Sequence, residues 1–151
     1  MSNSTPSISR VDFVPIPTQD AGRATAFYRD TLGLVESEHT RDKPFSEFDL
    51  GGTTLSIWDP SSAGREFQAN TNAFALHTDD VKGLRAELEA RGVTFFGDTF
   101  DTGVCHMAFF ADPDGNPLML HGRYAPRDGT SANASALPSG SGIFTCRTPL
   151  V

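Results

Sequence analysis

Phe109-Phe110-Ala111-Asp112-Pro113-Asp114-Gly115-Asn116-Pro117-Leu118-Met119-Leu120-His121 sets two apolar runs on either side of a cluster of turn formers, and so describes a β-hairpin. Pro113 presets φ for the second residue of a turn, Asp112 and Asn116 can bond their own backbone, and Gly115 tolerates a positive φ. The flanking strands must run antiparallel. Alternation then puts Met119 and His121 on one face of the second strand and Leu118 and Leu120 on the other. One face is purely apolar and the other is mixed.

Upstream of this hairpin the chain reads as strand, helix and further strands, twice over. Val11 to Pro17 suits a strand, and Pro15 and Pro17, which cannot donate, favour an edge or bulged position. Asp20 offers an N-cap, Ala24, Phe27 and Tyr28 recur at helical spacing, and Leu32-Gly33 closes the helix. Phe45 to Leu50 and Thr53 to Trp58 are strands joined through Gly51-Gly52, with one more short strand expected near Val35. The order returns from Asn72: a strand over Ala73 to Thr78, an N-cap at Asp80, Val81, Leu84 and Leu88 on one helix face, and Gly92 as terminator. Strands follow over Val93 to Phe96 and Val104 to Phe110. Asp20 and Asp80 are sixty residues apart, as are Phe13 and Ala73. Two β-α-β-β-β modules of this size cannot each hold a core, so they should join into one α+β structure, a curved mixed sheet with the helices on its convex side.

The expected organisation is a flexible polar leader over 1–9, one domain over 10–124 with modules 10–60 and 72–123, and a mobile Ser/Gly/Ala-rich tail over 125–151. With 151 residues, seven net negative charges and a pI near 4.9, the chain is a poor fit to nucleic acid or an anionic membrane, both of which need a basic face. Cys105 and Cys146 are the only cysteines, so there is no disulfide framework or CxxC pair. No apolar run is long enough to span a bilayer. A cytoplasmic location is the expectation. Neither a nucleotide-binding glycine loop nor a Gly-Xaa-Ser-Xaa-Gly elbow is present.

Ala24-Thr25-Ala26-Phe27-Tyr28-Arg29-Asp30-Thr31-Leu32-Gly33-Leu34, the run from Asp79-Asp80-Val81 to Gly92-Val93, and Phe109 through Leu120 together resemble the vicinal oxygen chelate superfamily. That superfamily contains glyoxalase-type lyases, extradiol dioxygenases, thiol transferases that inactivate fosfomycin, and bleomycin-type resistance proteins. The resemblance implies paired βαβββ modules around a concave cavity, and it makes a homodimer the default. It also implies a metal held by His or Glu at equivalent points of the two modules, which here fall on Phe13, Ser56, Ala73 and Met119. Phenyl, methyl and thioether groups cannot replace such ligands, so no metal and no other cofactor is expected.

A displaced site would have to draw on His77, His121 and Cys105; His106 alternates to the opposite face and His39 falls in a loop. Without a metal, the concave face is left with Phe13, Trp58, Met107, Phe109 and Met119, with Ser56 and His121 as polar handles, the composition of a pocket for a flat or apolar compound. Filling of the cup by these same aromatics is the plain structural alternative. Glu47 and Asp49 share one strand face and could be paired carboxylates, although such a pair is more often a solvated face. The leading functional reading is a small-molecule binding protein of the bleomycin-resistance type, protective by sequestration. The alternative is a glyoxalase- or dioxygenase-like enzyme using a displaced metal or His121 as acid–base group.

Overall fold

The computed structural model describes residues 8–41 and 43–127. Within them the expected repeat is present as an α+β fold. Strand β1 (Phe13–Pro17) leads into α1 (Ala21–Ala26), whose last turn widens into a π-helical turn over Phe27–Thr31, and Gly33 then turns the chain with a φ of 76°. Strands β2 (Phe45–Asp49) and β3 (Thr54–Trp58) complete the first module. The second consists of β4 (Phe74–His77), α2 (Val81–Ala90), β5 (Phe95–Asp101), β6 (Cys105–Ala111) and β7 (Pro117–Arg123). Asp20 and Asp80 cap their helices as expected, each accepting from the backbone N–H three residues on.

In hydrogen-bonding terms the curved sheet of the sequence reading is two sheets, ordered β1-β3-β2 and β4-β7-β6-β5. In each, the first strand of the module lies parallel to the last. The short strand expected near Val35 is only a single bridge between Glu36 and Phe48, so the first module has one strand fewer than the second. β5 runs on past Phe96 to Asp101, through a register irregularity at which Gly97 takes a φ of 66°. Thr54 N–H donates to Asp12 and Thr18 N–H to the Trp58 carbonyl, so even-numbered positions of β1 face β3. Pro15 and Pro17 therefore point their missing donors at the open edge, the first of the two placements that the sequence allowed.

One core serves both modules. Val14, Ile16, Phe48, Leu55 and Ile57 from the first sheet and Phe110, Ala108, Leu118 and Leu120 from the second pack with Ala24, Tyr28, Val81 and Leu88 of the helical segments. What locks the modules together is the opening hairpin turn. Asp112, 5% exposed, accepts from the Tyr28 hydroxyl at 2.9 Å and from the Asn116 side chain at 2.7 Å. Asn116, fully buried, also donates to the Pro17 carbonyl at 2.8 Å and accepts from the Asn70 N–H at 2.9 Å. The Asp114 carboxylate is covered by Thr18, the Gln19 N–H and Arg23. Every polar group that this turn buries finds a partner, most of them in the other module. Residues 1–7, 42 and 128–151, with most of the expected leader and tail, lie outside the described residues.

Candidate functional site

The face of each sheet turned away from the helices carries the side chains that could meet a ligand. On β3, Leu55 and Ile57 enter the core, which leaves Thr54, Ser56 and Trp58 on the open face. Register adds Phe13, Pro15 and Pro17 from β1, and Phe45, Glu47 and Asp49 from β2. The parity assigned to Trp58 and Ser56 from the sequence is the parity seen. On the second sheet two rows cross all four strands: Ala75, Met119, Phe109, Phe96, and beside it His77, His121, Met107, Phe100. Met107 is buried, whereas Phe96 and Phe100 are 59% and 47% exposed. These two phenylalanines were not singled out in the sequence, because Gly97-Asp98 reads as a strand end.

Among the described residues, Phe13 and Trp58 border two different hollows. Phe13, 60% exposed, borders a hollow of about 440 Å³ with Arg10, Asp12, Glu47, Asp49 and Thr54. There the carboxylates face solvent or local donors, Glu47 taking His39 at 2.8 Å and Asp49 the Gly51 N–H. Trp58 lines a separate hollow of about 270 Å³ with Pro15, Pro17, Pro60, Arg65, Glu66, Gln68 and Asn70. Met107, Phe109, Met119 and His121 stand on the second sheet, and Ser56 lies between Glu47 and Pro15 in the register of the first.

Local chemistry explains the Trp58 hollow. Asp59 accepts from the Ser61 N–H and Pro60 opens a 3₁₀ turn over Pro60–Ala63. Gly64, with a φ of 68°, reverses the chain, and the Arg65 N–H closes the loop on the Pro60 carbonyl. The returning segment is pinned where the Asn70 N–H meets Asn116. Trp58, three prolines and four polar residues of the returning segment thus line one hollow. Behind this wall the Asn70 side-chain nitrogen is buried and has no hydrogen-bond partner among the described residues. Asn70 carried no signal in the sequence, since only the fold of the intermodule segment brings it to Trp58.

His77 and His121 are register partners on parallel strands, and the His77 ring nitrogen lies 3.2 Å from Asp79. Burial, with His77, Arg123 and Arg127 nearby, lowers the His121 pKa from its ordinary 6.5. Cys105 is buried and its Sγ lies 3.0 Å from the Thr102 hydroxyl. His106 pairs in register with Gly122 on the helix side, and His39 sits in a 3₁₀ turn. Among the described residues, no three His, Cys, Asp or Glu side chains gather as a metal site. With Phe13, Ser56 and Met119 as its donor set, the open face does not fit the divalent metal that the resemblance implies.

The sequence matches the model of the Glyoxalase/Bleomycin resistance protein/Dioxygenase superfamily over residues 10–120, and the chain belongs to that family. Among solved structures it is similar to TnmS3, an antibiotic binding protein from Streptomyces sp. CB03234, with 27% identity and a TM-score of 0.67 over 80% of this chain and 100% of that one. A superfamily member from Sphaerobacter thermophilus is 27% identical, with a TM-score of 0.65 over 77% of this chain and 98% of that one. Lactoylglutathione lyase from Agrobacterium tumefaciens, 20% identical, has a TM-score of 0.66 over 77% of this chain and 95% of that one, a likeness of fold alone. No curated protein matches significantly. Among the described residues no helix is long and apolar enough to cross a membrane.

Proposed function

We propose that the chain is a small-molecule binding protein that captures a partly aromatic compound without using a metal, with protective sequestration as its use. The observation that carries this reading is the Trp58 hollow, lined by the single indole, three prolines and a few polar residues, a composition suited to a flat, largely apolar ligand. The antibiotic-binding neighbour supports the class of function. The Phe/Met rows of the second sheet supply further adaptable apolar surface, and the exposure of Phe13, Phe96 and Phe100 supports a homodimer that covers them. A cytoplasmic setting fits the two unpaired-by-motif cysteines.

Because Trp58 is the only tryptophan, fluorescence reports on this site alone. An aromatic ligand should quench or shift its emission, and Trp58→Ala should weaken binding by about 1–3 kcal/mol through lost stacking and buried area. A ligand that leaves the emission unaltered and binds Trp58→Ala equally well would remove the hollow from the function.

A further inference from the structure

We propose that the outer edge of β5 is completed by this chain's own segment Ile143-Phe144-Thr145-Cys146-Arg147, which lies outside the described residues, added to the second sheet as a further strand. The inference goes beyond the binding reading, which stands or falls without it. It gives Phe96 and Phe100 a cover from within the chain and leaves Phe13 of the first sheet to a second copy. Three observations carry it.

The first is the edge itself. β5 closes the order β4-β7-β6-β5 and pairs only with β6 among the described residues, so its outward backbone groups have no strand beside them. Phe96 and Phe100, 59% and 47% exposed, stand on the open face of the same strand. An edge of seven residues with two exposed phenylalanines is a template for pairing of the kind that native proteins cover.

The second is where the chain leaves the sheet. Past β7 the Tyr124 and Ala125 N–H groups both donate to the Val104 carbonyl, at 3.2 and 3.1 Å, and the Tyr124 hydroxyl donates to Asp101 at 2.7 Å. The chain is thereby delivered to the β5–β6 turn, at the Asp101 end of the open edge. Residues 128–142 follow as a spacer rich in Gly, Ser and Ala. A spacer of that length and composition reaches about 20 Å, close to the roughly 23 Å that β5 spans. Beyond it, Ile143-Phe144-Thr145 is the only run of β-branched and aromatic residues in 128–151.

The third is charge, which separates this segment from a second copy as the occupant. The charged residues of β5 are Asp98 and Asp101, whereas residues 129–151 contain Arg147 and no acid. Two β5 edges paired with each other would set these aspartates against their own copies; Arg147 brings the opposite sign. A strand that enters at the Asp101 end and runs antiparallel to β5 puts Phe144 beside Phe100 and carries Arg147 toward Asp98.

The test is amide hydrogen exchange of the full chain, read by peptide mass spectrometry at low and high protein concentration. Residues 143–147 should exchange about tenfold or more slowly than the spacer, equally at both concentrations. Phe144→Asp, which alters no residue of the domain core, should abolish that protection and speed exchange along β5 while β6, β7 and α2 keep theirs. Phe100→Asp should release the segment from the other side, with the same core amides verifying the fold. If Phe100→Asp unfolds the domain, the β5 response to Phe144→Asp decides: faster exchange supports the pairing and unchanged exchange overturns it. Residues 143–147 exchanging as fast as the spacer, or staying protected in a folded Phe100→Asp variant, would overturn the assignment. Protection that fades on dilution would give the edge to another copy of the chain and overturn it equally.

Discussion

Replacing Asn116 is the most direct probe of what joins the two modules. Asn116→Ala deletes three side-chain hydrogen bonds: to the Pro17 carbonyl at 2.8 Å, to the Asp112 carboxylate at 2.7 Å, and from the Asn70 N–H at 2.9 Å. It also strands the Pro17 carbonyl and the Asn70 N–H at a site where Asn116 itself is fully buried. With each neutral bond worth about 1 kcal/mol, the charged one about twice that, and a penalty for the stranded groups, the expected loss is about 3–5 kcal/mol. For a domain of this length that lowers Tm by roughly 10 °C or more. The isosteric Asn116→Asp discriminates further. It places a carboxylate against the Pro17 carbonyl and the Asp112 carboxylate, so near neutral pH it should be less stable than the alanine variant despite its closer shape, and it should regain stability in acid as one carboxyl takes a proton. Urea unfolding followed by circular dichroism measures both. A loss under about 1 kcal/mol for Asn116→Ala, well below one buried charged bond, would refute the claim that this turn fastens the modules, and so would an aspartate variant more stable than the alanine one.

Tyr28→Phe should cost about 1.5–3 kcal/mol by removing the hydroxyl from the Asp112 carboxylate, 2.9 Å away, and the wild-type phenol, raised far above its ordinary pKa by burial and by Asp112, should stay protonated in a spectrophotometric titration through alkaline pH. Gly122→Ala should be destabilising by about 1–3 kcal/mol, because its Cβ would sit 2.7 Å from the Thr78 backbone carbonyl, which cannot swing aside as a side chain would; a thermal melt unchanged from wild type would contradict this contact. His121 has a native pKa below its ordinary 6.5, so the unfolded chain binds its proton first: the His121 contribution is complete above about pH 6.5 and is lost as pH falls toward the native pKa. His121→Gln should therefore flatten the pH dependence of stability across that window, and an NMR titration of the ring that gives a pKa at or above 6.5 would reverse the sign.

Local chemistry carried far in this chain, and its reach ended where two modules meet. The prolines of β1 announced an edge strand, the two aspartate N-caps fixed both helix starts, and alternation away from Leu55 and Ile57 put Trp58 on the open face, since each depends only on neighbours in sequence or on one paired strand. The partners of Trp58 were not legible. The sequence set it with Phe109 and Met119 by the symmetry of the repeat, whereas the hollow it lines is built from β1 and the intermodule segment. The turn at Asp112–Asn116 was legible as a turn but not as a fastener, because Tyr28, Arg23 and Thr18 lie 84, 91 and 96 residues from the groups they bond. Phe96 and Phe100 escaped notice for a local reason: Gly97 sits inside a strand that continues through an irregularity.

The repeat is symmetric in order but not in the work of its turns, and that asymmetry bears on the site. In the first module the hairpin turn at Gly51-Gly52 is exposed, with positive φ values of 77° and 129°, and buries no polar side chain. Its counterpart in the second module is driven into the seam, where Asp112, Asp114 and Asn116 exchange hydrogen bonds with the end of β1, with α1 and its π-helical extension, and with the segment that carries Asn70. Asn116 thus fixes at once the Pro17 end of β1 and the Asn70 wall, two sides of the hollow that faces Trp58. Fold and binding surface share this one side chain. A preorganised seat for a flat ligand needs walls held by groups that are not themselves used in binding, and the buried amide of Asn116 meets that requirement.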